Sequence, residues 1–153
     1  MRRMPWRARV VFVVLAALQA CSSTPKLSDE GRSVRGVVGL VTDLEHAYEQ
    51  RDESALMAGM AKEFPDRETL QRTVQSVFDR FDRIDLTITV ERIHLEGETA
   101  TVYLHWDAQW RAQGSAPIAR QGTARFEVGT DGRPMLTAVL GDNPFAATPA
   151  NSP

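Results

Sequence analysis

Only one cysteine, Cys21, occurs in the 153 residues. A lone thiol has no partner for an internal disulfide, so any stability must come from packing. Aromatic residues make up 7% of the chain, and no basic run is interleaved with them. The stacking platforms and phosphate contacts of a nucleic-acid binder are therefore missing. The apolar run at residues 10–18 is nine residues long, whereas a membrane-spanning helix takes about 20. There is no internal repeat and no low-complexity block. With 18 basic and 20 acidic side chains, the chain carries no strong charge of either sign.

The N-terminus is the most specific stretch. Arg2, Arg3, Arg7 and Arg9 precede the apolar run, and Leu18-Gln19-Ala20-Cys21 close it. A basic segment, a short apolar core and a small residue at the end are the parts of an export signal. With cysteine directly after the small residue, the pattern resembles a bacterial lipoprotein signal. The resemblance implies that residues 1–20 are removed and that Cys21 becomes a lipidated first residue. Several acyl chains, palmitate among them, would then hold the protein on a membrane, since stable anchoring takes more than one chain. Ser22 at the next position implies the outer membrane, facing the periplasm. Removing residues 1–20 leaves 14 basic and 20 acidic side chains, a net charge of −6. That balance again disfavours nucleic acid and favours solubility.

Residues 21–33 contain the lipidation site and a polar stretch with Pro25 and Gly31, expected to be a flexible tether. Its twelve residues after Cys21 reach roughly 40 Å when extended. Residues 143–153, rich in Pro, Ala and Ser, are expected to form a loose tail. The folded domain is thus expected over residues 34–142. Within it, Val34, Val37, Val41, Leu44 and Tyr48 recur at helical spacing, with His46 on the opposite side. Asp52 reads as the N-cap of a short second helix. Pro65-Asp66 opens a third, in which Leu70, Val74, Val77, Phe78 and Phe81 form one apolar stripe.

From Ile84 the period changes to two. Ile84, Leu86, Ile88 and Val90 alternate with polar residues, and a slip near Glu91-Arg92 indicates a β-bulge. The second strand places Ala100, Val102, Leu104, Trp106, Ala108 and Trp110 on one face. A third does the same with Gly122, Ala124, Phe126 and Val128, and residues 135–140 form a fourth. Such alternation predicts an antiparallel sheet with one covered and one wet face. Three helices preceding it give an α+β domain: three N-terminal helices packed on a curved four-stranded sheet.

The junction Ala47-Tyr48-Glu49-Gln50-Arg51-Asp52 between the first two helices, followed by a third helix and four meandering strands, resembles the nuclear transport factor 2-like superfamily. That resemblance covers about residues 34–142 and implies a cone-shaped fold. Members often carry a small strand or hairpin between the second and third helices, and Phe64-Pro65-Asp66 leaves little room for one. The superfamily includes isomerases, dehydratases and cyclases, which would place an Asp or His base inside the cone. General acid–base chemistry needs such a group within hydrogen-bond reach of substrate.

The candidates are His46, His94, His105, Asp85, Asp107, Tyr103 and Tyr48. Strand parity sends Tyr103, His105 and Asp107 to the polar face together, with Asp85 on the same face. His94 is polar after the slip. Only Tyr48 projects inward. One histidine and one carboxylate at i and i+2 are too few ligands for a zinc site, so no catalytic residue, metal or cofactor is expected. Tyr48, Trp106, Trp110 and Phe126 are the pocket-lining candidates, with Arg111 and Arg120 near the rim. The expected function is a lipid-anchored, non-catalytic binding or scaffold module of the cell envelope, either monomeric or weakly dimeric. Its partners would be the membrane through Cys21 and an envelope protein or hydrophobic small molecule. The alternative is a binder or isomerase/dehydratase-type enzyme acting on a small hydrophobic ligand in the cone.

Overall fold

Ser28 starts the first helix by accepting a hydrogen bond from the Gly31 amide at 3.1 Å. Asp29 and Glu30 sit in its first turn, where the helix dipole favours acids. Helix α1 spans Asp29–Glu49, α2 Glu53–Ala58 and α3 Arg67–Arg80. Strands β1 (Arg83–Glu96), β2 (Thr99–Arg111), β3 (Ile118–Gly129) and β4 (Met135–Gly141) follow. They pair in the order β1-β2-β3-β4, antiparallel throughout. The computed structural model describes residues 28–147. The proposed signal at 1–20 and lipidation at Cys21 lie outside the described residues.

The α1–α2 junction is held from both sides. Arg51, in the left-handed region with φ 57°, donates to the carbonyls of Phe78 and Phe81 at 3.2 Å each, capping the end of α3. Asp52 accepts from the Ala55 amide at 2.9 Å and caps α2 as its sequence position predicted. Arg67 reaches back to the carbonyls of Met57, Met60 and Ala61. The motif that suggested the cone fold is thus a structural clamp between helices. Between α2 and α3, Met60 forms a single parallel bridge with Leu136 of β4. Phe64-Pro65-Asp66 leaves room for that bridge rather than a hairpin.

The expected α+β architecture holds, with the bulge between Val90 and Arg92. Two boundaries differ. Helix α1 begins at Asp29, so residues 29–33 of the expected tether are helical. Their polarity hid a helical turn that Ser28 caps. Phe145, within the expected tail, is fully buried. At the end of β4 the chain turns at Gly141, whose φ of +86° suits glycine. Asp142 then bonds to Thr123 of β3 through its amide at 2.9 Å, and the segment places Phe145 in the core.

Candidate functional site

The inner face of the sheet is apolar, largely buried and carries three aromatic rings, Trp106, Trp110 and Phe126. Along β2, Val102, Leu104, Trp106, Ala108 and Trp110 are buried, and the residues between them face outward. Phe126 on β3 and Tyr48 on α1 are also buried. The four pocket-lining candidates are all buried in the interior. Tyr48 packs on Phe78 with ring centroids 5.4 Å apart and edge-on to Phe145 at 5.5 Å, and Phe145 lies 6.0 Å from Phe126. Offset and tilted rings at these distances add to area burial.

Both indoles have assigned partners. Trp106 Nε1 donates to the Asp142 carbonyl at 2.7 Å. Trp110 Nε1 donates to the Tyr48 hydroxyl at 3.3 Å. Gly122 lets the Trp106 ring lie against β3, since a Cβ there would stand 2.8 Å from the ring and 2.7 Å from the Asp142 Cβ. Tyr48 is the sole titratable residue among the buried ones described. Burial raises its phenol from 10.0 to about 12, against a smaller lowering by the Trp110 hydrogen bond. At neutral pH it is a protonated phenol occupied by an indole, not an available base.

The other candidates are on the outside. His46 is exposed on α1, its Nδ1 3.0 Å from the Thr42 carbonyl. His94 is exposed near the end of β1. His105 Nδ1 lies 3.1 Å from Glu91 Oε1 on the outer sheet face, and Tyr103 stacks under the Arg92 guanidinium at 4.2 Å. Asp85 is gripped by Arg83 at 2.9 to 3.0 Å. Arg83 is held above its usual range by that hydrogen bond and charge. Arg111 is exposed at the end of β2. Tyr103, His105 and Asp107 do share one face, as predicted. No group of three or more His, Cys, Asp or Glu residues placed to hold a metal occurs among the described residues.

A cleft of about 340 Å³ lies on this outer face, lined by Asp85, Thr87, Asp107, Gln109, Arg120 and Gln121 among others. It is partly open to solvent. Arg120 borders this cleft, while its pairing with buried Ala108 gives it the inward parity of β3, at the exposed end of that strand. The sequence reading missed Phe145, which nothing but an isolated phenylalanine in a Pro/Ala-rich stretch could have signalled. Also missed were Glu45 and Glu49, which accept hydrogen bonds from the Ile88 amide at 2.7 Å and the Leu86 amide at 3.0 Å. Their i, i+4 spacing on α1 was the available signal.

No family model and no curated protein matches the chain. Solved structures share its fold. A candidate aromatic ring hydroxylase from Novosphingobium aromaticivorans superposes with a TM-score of 0.63 at 14% identity, covering 76% of this chain and 97% of that one. A candidate scytalone dehydratase from the same species gives 0.64 at 13% identity, over 73% and 85%. A nuclear transport factor 2-like superfamily protein from Salmonella enterica serovar Typhimurium gives 0.63 at 11% identity, over 80% and 96%. The chain therefore has the nuclear transport factor 2-like cone fold. At these identities the likeness concerns the fold, and a fold does not by itself assign chemistry.

Proposed function

We propose that this protein is a lipid-anchored accessory module of the bacterial cell envelope, a non-catalytic binding or scaffold domain held on the periplasmic side of the outer membrane by acylated Cys21. The observation that carries the non-catalytic part is the composition of the interior. Its titratable group is Tyr48, held protonated and bonded to Trp110. Acid–base catalysis in the cone needs an ionisable group that is both inside and free to exchange a proton. The imidazoles and the candidate aspartates lie on solvated surfaces. The anchor rests on the arrangement of residues 2–23.

The anchor is tested by expressing the full chain with radiolabelled palmitate and fractionating the cells. Wild type should carry label and sediment with the outer membrane. Cys21→Ser should lose the label and most of its membrane retention. Unchanged fractionation would reject the anchor.

The second reading is a binder, or an isomerase/dehydratase-type enzyme, for a small hydrophobic ligand. It is favoured by the neighbours described as a candidate dehydratase and a candidate ring hydroxylase, and by the aromatic lining of the cone. It requires Phe145 to vacate the space between Tyr48 and Phe126. Titrating the protein with indole or 2-naphthol while following tryptophan fluorescence separates the readings. A saturable change in wild type supports a pocket, whereas a change confined to Phe145→Ala supports a filled interior.

A further inference from the structure

Strand β4 runs beside β3 only as far as the Ala124–Gly141 pair, so the first half of β3, up to Thr123, has no β4 partner. The chain continues instead as the turn that carries Phe145. This turn is joined to the rest of the domain in two ways. Asp142 makes the polar ties. Its amide donates to the Thr123 carbonyl at 2.9 Å, its Oδ2 accepts from the Thr123 amide at 3.3 Å, and its carbonyl accepts from Trp106 Nε1 at 2.7 Å. Phe145 makes the apolar tie, its ring set against Tyr48 and Phe126.

Past Asp142 the turn is built on itself. Asn143 Oδ1 accepts from the Phe145 amide at 2.9 Å, and the Asn143 carbonyl from the Ala146 amide at 3.2 Å. Pro144 between them fixes one backbone angle. A stiff turn of this kind moves as one body when the residue before it swivels. Gly141 is that residue: its φ of +86° costs a glycine little, and a Cβ there would stand 2.9 Å from the Thr123 carbonyl oxygen. Lifting the turn breaks the ties at Asp142 and withdraws one ring. It leaves the pairing of the four strands and the Arg51 clamp untouched. Thr123 is exposed, so water takes over its two backbone bonds.

Trp110 is the contrast. Its Nε1 donates to the Tyr48 hydroxyl at 3.3 Å, and both residues are fully buried. That bond joins β2 to α1, and it breaks only when sheet and helices separate.

We propose that residues 141–147 are a gate on the cone, hinged at Gly141 and latched by Trp106, which opens as a unit while the rest of the domain stays folded. Closed, the gate holds Phe145 as an internal ligand. Open, it leaves a ring-sized space beside Tyr48 and Phe126 and frees the Trp106 N–H. What enters rests on the binder reading of the cone. The class that replaces what leaves is a ring of phenyl size bearing a neutral carbonyl: the ring for Phe145, the oxygen for the Asp142 carbonyl. An aromatic carboxylate is a poor substitute. No charged side chain is buried among the described residues, and one N–H donor does not offset the desolvation of an anion.

Indole exchange reads both latches in one experiment. In the full chain carrying Cys21→Ser and Trp6→Phe, Trp106 and Trp110 supply the two remaining indole protons. By nuclear magnetic resonance, Trp106 should exchange at least about ten-fold faster than Trp110, with little response to low urea, the mark of local opening. Trp110 should exchange with global unfolding and respond steeply to urea. Gly141→Ala strains the closed gate alone, so it should raise the Trp106 rate about ten-fold and leave Trp110 nearly unchanged. Equal rates with equal urea dependence would overturn the gate, because Phe145 would then leave only as the domain unfolds. Equal acceleration of both indoles by Gly141→Ala would overturn it too. Benzylacetone tests the occupant: it should bind Gly141→Ala about ten-fold more tightly than the parent chain, since more of the variant is open. Hydrocinnamate, the anionic analogue, should not bind. A gate that opens by exchange yet takes up no benzylacetone would overturn the ligand class and the binder reading with it. Failure of the exchange criterion overturns the gate whatever the cone binds.

Discussion

The two faces of the sheet are built from the same strands and share almost no physics. On the inner face of β2, Trp106 is 3% and Trp110 0% exposed, and each indole has a single fixed partner. One residue away on the chain, His105 and Asp107 stand on a surface where polar contacts such as His105–Glu91 have side chains 43% and 57% exposed. Inside, removing a group leaves a hole or an unpaired donor that the surroundings cannot refill. Outside, water replaces whatever is lost, and an exposed pair contributes little. The difference teaches that neighbouring residues on one strand can differ wholly in what a substitution costs.

That contrast can be broken by mutation. The largest effect is expected at Phe145→Ala, which removes a fully buried ring from between Tyr48 and Phe126. Urea unfolding should show a loss of about 3–5 kcal/mol. A loss under about 1 kcal/mol would mean that the segment after β4 is an appendage rather than part of the core. At the opposite end of the scale, His105→Gln keeps a polar group beside exposed Glu91 and should change stability by no more than about 0.5 kcal/mol. A larger loss would show that the outer face is energetically integral, and the distinction between the faces would need redrawing.

Much of this was legible in the sequence because alternation and helical periodicity report directly on which side is dry. The first and third helices, the long strands, the bulge after Val90 and the inward direction of Tyr48 follow from periodicity, and the short second helix from its Asp52 cap. Local polarity misled at both ends of the domain. The stretch Asp29-Glu30-Gly31-Arg32-Ser33 has no apolar stripe, yet a capping serine and acidic first turn make it helical. Phe145 sits among turn formers and becomes core only because Gly141 and Asp142 redirect the chain over β3. Long-range contacts of this kind leave no periodic trace. The candidate site was half legible: parity separated inside from outside, but whether Tyr48, Trp106, Trp110 and Phe126 enclose space or fill it depends on that distant phenylalanine.

The central claim, a dry and filled interior around Tyr48, is tested most directly by alkaline titration. The chain has two tyrosines, so Tyr103→Phe leaves Tyr48 as the sole phenol to follow by ultraviolet absorbance near 295 nm. Burial favours the protonated phenol in the folded state. The stability this contributes is fully present below pH 10.0 and is lost as pH rises toward about 12. The account predicts ionisation near pH 12, accompanied by unfolding. A midpoint near 10 in a chain that remains folded would mean that water already reaches the hydroxyl, and that the cone is an open pocket after all.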